Sequence, residues 1–193
     1  MRRFTLLLCC AAALSACVTT RPGPTPAPTP WDQRVTDLQN ARTWQLAGRA
    51  AAAMGTQGWQ ASLDWRQGGA GAELHLAGPL GVGSVVLKET ADGLSLNGAP
   101  PSDAVVAQLQ DRLGFELPLK NLRFWLLGVP DPGSASEVTR NDQDRAAQLT
   151  QAGWTVSYDR YMTVGGDRLP SRLVLSRQDV RVRIAVDHWE GPR

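Results

Sequence analysis

Hydrophobic and polar positions change period several times along this 193-residue chain, and each change marks an element. Trp59, Ala61, Leu63 and Trp65 alternate with Gln60, Ser62, Asp64 and Arg66, the period-two pattern of a strand with one buried face. Similar alternation sets Leu74 and Leu76 against Glu73 and His75, recurs in Leu94 and Leu96, and sets Trp154, Val156 and Tyr158 against Thr155, Ser157 and Asp159. The clearest case is the last: Val180, Val182, Ile184 and Val186 oppose Arg181, Arg183 and Asp187, with Trp189 out of phase unless a bulge or strand end intervenes. Gly68-Gly69, Asp92-Gly93 and Gly165-Gly166-Asp167 punctuate these runs with turn chemistry, so the pattern predicts an antiparallel meander.

Three stretches carry helical spacing instead. Thr29 can serve as N-cap and Pro30 as first helical residue of a short amphipathic helix, with Asp32 in its first turn and Val35, Leu38 and Ala41 on one face. Ser102 and Asp103 can cap a second helix that carries Val106, Leu109 and Leu113 and stops at Gly114. The third, between Pro118 and Gly128-Val129-Pro130, crowds Leu119, Leu122, Phe124, Trp125, Leu126 and Leu127 into one short piece. A helix apolar nearly all round must be enclosed on most sides, either filling the core of a curved sheet or covering a cavity whose other wall is apolar.

Composition changes the picture mainly at the amino terminus. MRRFTLLLCCAAALSAC has two arginines, an apolar run from Phe4 to Leu14 and small residues before Cys17, the layout of a signal peptide and too short for the ~20 residues of a membrane span. Leu14-Ser15-Ala16-Cys17 resembles the bacterial lipobox, in which lipid is attached to the cysteine sulfur before cleavage; an ordinary secretory signal cut near Ala16 is the plainer reading. Residues 1–16 are thus expected to be removed, with Cys17 lipidated as the first mature residue, and Val18 in place of Asp after it suggests the outer membrane as destination. Cys9 and Cys10 leave with the leader, so no disulfide framework remains, and the 177 residues left from 193 must hold by burial alone. Loss of Arg2 and Arg3 takes the 20 basic residues to 18, matching the 18 acidic ones. This balance removes the electrostatic footprint of a nucleic-acid binder. Residues 17–30 form a tether with prolines at 22, 24, 26, 28 and 30, able to reach about 40 Å if extended at ~3.1 Å per residue. Residues 31–193 are expected to be one folded domain.

Candidate chemistry is sparse. His75 and His188 lie far apart on strand patterns, no Cys/His metal set is present, and Gly78-Pro79-Leu80-Gly81-Val82-Gly83 has its glycines in the wrong order for a dinucleotide fingerprint. The following SVVLKE reads as strand. Asn141-Asp142-Gln143-Asp144 lacks the glycine and closing glutamate of an EF-hand, and no Gly-x-Ser-x-Gly elbow occurs. Nothing here argues for an enzyme or for a cofactor beyond covalent lipid on Cys17. What does stand out is tryptophan, seven against three Phe and two Tyr, and wide apolar side chains can fill a core or line a pocket equally well.

The order of motifs resembles the LolB family. Trp44 with Gly48-Arg49, Trp65, Gly78-Pro79-Leu80-Gly81, GFELPLKNLRFWLLGVP from 114 to 130, Gly153-Trp154 with Val156 and Tyr158, Leu169-Pro170 and the terminal strand ending in Trp189 carry that resemblance over most of the mature chain. The tether is unusually proline-rich for it, and 131–152 offers few matching residues. The resemblance implies a mainly β fold: an unclosed antiparallel barrel of about eleven strands whose helical lid encloses an apolar cavity. It implies a monomer anchored on the periplasmic face of the outer membrane, receiving acylated lipoprotein cargo from the periplasmic carrier LolA and passing it to outer-membrane phospholipid. Trp44, Trp65, Leu122, Trp125, Leu126 and Trp154 are then candidates for the lid and cavity lining, and Cys17 for the anchor. Leu80 at the tip of its turn is the candidate membrane-insertion residue, the other option being a leucine folded back on the core. Arg49 is a candidate lid contact through a hydrogen bond to lid backbone, or simply a strand charge. The competing functional class is an anchored scaffold that holds a protein or cell-wall component without moving lipid.

Overall fold

The computed structural model describes residues 30–79 and 83–193. Helix α1 (Trp31–Asn40) is followed by β1 (Trp44–Met54), β2 (Gln57–Gly68), β3 (Gly71–Ala77), β4 (Val85–Thr90) and β5 (Gly93–Leu96). Helices α2 (Asp103–Leu113) and α3 (Leu119–Leu127) come next, then β6 (Ser136–Arg140), β7 (Ala146–Gln151), β8 (Trp154–Val164), β9 (Asp167–Arg177) and β10 (Val180–Glu190). All ten described strands form one antiparallel sheet in the order β5-β4-β3-β2-β1-β10-β9-β8-β7-β6. Chain order is broken once, where β10 returns to pair with β1. β5 and β6 stay unpaired to each other, so the sheet is an unclosed barrel, with ten described strands where about eleven were expected.

Period-two burial sets the curvature. Leu46, Ala50, Leu63, Trp65, Leu74, Leu76, Leu87, Leu175, Val182 and Ile184 are buried on the inner face, and α2 and α3 lie across it. Trp189 reaches this interior because a bulge occurs where the alternation demanded one. Ala47 pairs with His188 but Gly48 with Val186, so Asp187 is the extra residue and Trp189 returns to phase, 5% exposed. The bulge draws the β10 backbone over Gly48: a methyl there would run into the Ala185 carbonyl and lie 2.9 Å from Val186 Cα. Gly48→Ala is therefore expected to cost about 1–3 kcal/mol through backbone displacement, read as a lowered urea midpoint.

The helices depart from expectation in detail. Pro30 is the N-cap of α1, not its first helical residue, and Thr29 lies outside the described residues. The inward face of α1 is set by Arg34 and Leu38, with Ala41 buried just after it. Arg34 pairs with Asp167 at the start of β9 and donates to the Arg168 carbonyl at 2.6 Å, pinning the helix to the turn end of the β8–β9 hairpin. Burial pulls the Arg34 pKa down and the Asp167 carboxylate opposes it. In α2, Ser102 caps by accepting from Val105 N–H and Gly114 ends the helix at φ 80°, as expected. Its buried positions are Val105, Leu109 and Leu113, whereas Val106 is exposed, because four-residue spacing keeps 105, 109 and 113 on one stripe. α3 buries six of nine residues and ends at Gly128, also left-handed at φ 80°.

Candidate functional site

The inner face of the sheet and the undersides of the helices enclose a wholly apolar space. Trp59, Leu63, Trp65, Leu74 and Leu76 form one wall, Leu175, Val182 and Ile184 another, and Phe115, Leu117, Leu122 and Leu126 the roof, with Trp154 at the side. No lining side chain brings a charge into it. The cavity left between them is about 30 Å³, close to one water's share of liquid volume. An engineered apolar cavity of ~150 Å³ binds one benzene. The hollow interior implied by the resemblance is therefore present as a lining and closed as a volume, because the roof packs directly onto the sheet.

Of the six candidate lining residues, Trp65, Leu122, Leu126 and Trp154 face this space. Trp44 sits behind them, stacked on Trp65 at 5.7 Å and 12° and tilted against Trp189 at 5.5 Å. Trp125 turns the other way, fully buried, with its indole N–H donating to Gln151 Oε1 at 2.9 Å. Sequence reading missed Trp59, Phe115 and Leu117, although Trp59 already stood in phase with Trp65 on the same strand.

The two roof helices are fastened very differently. α3 is tied by the Trp125–Gln151 bond, by Tyr158 O–H donating to the Trp125 carbonyl at 3.0 Å, and by Asn121 Nδ2 donating to Asp131 at 2.9 Å. Burial pushes the Tyr158 hydroxyl well above its ordinary pKa, which keeps it a donor. Among the described residues, the body of α2 is held by apolar contacts and by one side-chain bond, Trp59 Nε1 to the Leu113 carbonyl at 3.2 Å.

Arg49 is placed away from the lid. Alternation along β1 turns it to the outer face, where its Nη2 donates to Asp187 Oδ1 at 3.0 Å. Leu80 and Cys17 lie outside the described residues; Gly78 and Pro79 follow the end of β3 and immediately precede Leu80. His75 bonds Glu73 on the outer face, and that carboxyl, held also by Lys88, is drawn down to about 2. His188 is exposed, and among the described residues no group of three or more His, Cys, Asp and Glu could hold a metal.

Comparison with known proteins agrees with this architecture. A family model described as outer membrane lipoprotein LolB matches residues 42–189. The outer-membrane lipoprotein LolB of Alkalilimnicola ehrlichii is 37% identical over 202 residues, covering 98% of each chain. That of Nitrosococcus oceani is 33% identical over 199 residues, covering 97% of each. Among solved structures, a LolA superfamily protein from Nitrosomonas europaea shares the fold, with a TM-score of 0.51 over 84% of this chain and 93% of that one at 8% identity. A matched lipoprotein model over most of the chain, together with relatives aligned end to end, identifies this chain as a member of the LolB family of outer-membrane lipoproteins.

Proposed function

We propose that this chain is a lipid-anchored acceptor that takes acylated lipoproteins from the periplasmic carrier LolA and inserts them into the outer membrane without catalysing a covalent step. The observation that carries this reading is the uncharged apolar lining beneath a roof whose α2 side is held by apolar contacts and a single side-chain hydrogen bond. Each buried methylene is worth ~0.8 kcal/mol, so one acyl chain of about fifteen carbons represents roughly 12 kcal/mol. Escape through water is too slow to serve, and cargo must pass by direct contact from one apolar lining to the next. Direction comes from differential affinity, with the bilayer as the final and tightest site.

In this reading residues 1–16 are removed, Cys17 carries the anchor, 17–30 span the gap and 31–193 act as a monomeric domain on the periplasmic face. A cavity of about 30 Å³ must widen before a chain enters. The end of the roof that yields is Phe115 and Leu117, which follow α2 directly: lifting them with α2 breaks one side-chain hydrogen bond, whereas lifting α3 breaks the Gln151 and Tyr158 ties.

Purified protein in vesicles, mixed with a fluorescent acylated lipoprotein loaded on the carrier, is expected to take up and deliver cargo with no nucleotide added. Inert mixing with no uptake of an apolar probe would refute the acceptor and favour an anchored scaffold. Leu80→Glu is expected to leave uptake intact and slow delivery by about tenfold or more, since burying one leucine is worth ~1.5–3 kcal/mol. Unchanged delivery would remove Leu80 from the insertion step.

A further inference from the structure

The outer face of the sheet carries a second concavity, a groove of about 890 Å³ that the acyl pathway does not use. Arginines wall it and small side chains floor it. Register fixes the arrangement: Arg49 and Arg172 flank Ala185 on β10 from the two neighbouring strands, while Arg183 stands between Ala51 and Val174 and Arg181 between Ala53 and Ser176. With strands ~4.8 Å apart and a rise of ~3.3 Å per residue, the cluster spans about 10 Å across the strands and about 13 Å along β10. Arg49 is paired with Asp187 at 3.0 Å, and Asp159 is the carboxylate that lines the groove itself. Among the described residues Arg172, Arg181 and Arg183 form no ion pair. The mature chain balances 18 basic against 18 acidic residues, so this excess is a local arrangement and not a reflection of overall charge.

We propose that this arginine groove binds the phosphate groups of anionic phospholipids. The guanidinium fork suits phosphate oxygens in paired hydrogen bonds, and short alanine and serine neighbours leave the forks unobstructed. The groove ends on Gly78 and Pro79, the root of the loop that carries Leu80. This inference rests on the proposed function, which places that loop in the leaflet and so brings the arginines to headgroup depth. An acidic protein surface would satisfy the charge but not the continuity with the loop. Arg172, Arg181 and Arg183 thus orient the half-barrel on the bilayer while Leu80 enters it, and the charge contribution weakens as salt is added.

The test uses the complete mature chain with Cys17→Ser, which removes the anchor, in co-sedimentation with vesicles of phosphatidylcholine alone or with about one third phosphatidylglycerol. Phosphatidylglycerol is expected to raise binding, and added salt to abolish the increase. At about fivefold per guanidinium, Arg172→Gln, Arg181→Gln and Arg183→Gln together are expected to weaken binding about a hundredfold. The charge-matched set Arg42→Gln, Arg66→Gln and Arg140→Gln is expected to bind nearly as well as the parent, with near-ultraviolet circular dichroism showing that both sets fold. Equal binding to both vesicles, or equal loss in both sets, overturns the proposal. Normal vesicle binding with poorer uptake from the carrier also overturns it and assigns the groove to an acidic protein surface. Failure of nucleotide-free cargo transfer with lipid-dependent binding intact would instead count against the acceptor function.

Discussion

Gln151→Leu is expected to lower the unfolding free energy by about 3–5 kcal/mol. Gln151 is 2% exposed and its amide lies within hydrogen-bond distance of five polar atoms. Its Oε1 accepts from Trp125 Nε1 and Asp131 N–H, both at 2.9 Å; its Nε2 donates to the Asp131 carbonyl at 2.7 Å and to the carbonyl and hydroxyl of Ser134 at 2.9 and 3.0 Å. Leucine keeps most of the volume and strands all of these groups. A buried polar group left without a partner costs ~1–3 kcal/mol, and the rim of this site regains water while the indole does not. Urea denaturation checks it: the midpoint should fall at constant m. Trp125→Phe, which removes the principal orphan, should make the second substitution cheaper, giving a coupling of at least about 1 kcal/mol in a double-mutant cycle. A loss below 1 kcal/mol for Gln151→Leu would mean that the Gln151 network adds nothing measurable to the hold on α3.

Trp65→Ala should cost a similar 3–5 kcal/mol, the usual range for removing a buried aromatic, yet move uptake the other way. Trp65 is fully buried, stacks on Trp44, and also forms part of the apolar lining. Truncation deletes the stack and adds its side-chain volume to a cavity now near 30 Å³. A neutral apolar fluorophore is therefore expected to bind the folded variant more readily than the parent, even as the denaturation midpoint falls. Reduced probe binding at temperatures where the variant remains folded would show that the site collapses instead of opening.

Alternating strands were legible because one face meets water and the other oil. β2, β10 and the first half of β8 follow that rule, and Trp189 even announced the bulge that returns it to phase. β6 and β7 were not seen, since β6 lies at the sheet edge with four of five residues exposed, and β7 buries Ala146, Leu149 and Gln151 at irregular spacing around its hydrogen-bonded amide. Most of β9 was missed for a related reason: Arg168, Pro170 and Arg172 interrupt its pattern, and register shifts against β8 absorb them. Arg34 was hidden by its charge, although it lies four residues before Leu38 on the same helical stripe. The tryptophans were evident as a group, but their division between lining and support depends on which way each ring turns, which one-dimensional spacing does not encode. Arg49, named from the sequence as a candidate lid contact or a strand charge, pairs with Asp187 on the outer face, because β1 buries Leu46, Ala50 and Ala52 on its other side.

The nearly filled interior has a consequence for turnover. A receptor that stayed hollow after discharge would leave its oily walls wetted and would hold its passenger against loss of those contacts. Here the walls have each other: in the proposed function, once hydrocarbon leaves, Phe115 and Leu117 settle back against the sheet and recover most of the same dispersion and burial. Under that proposal the resting protein competes with its own passenger for one oily surface, and that competition would reset it for the next arrival with no fuel spent.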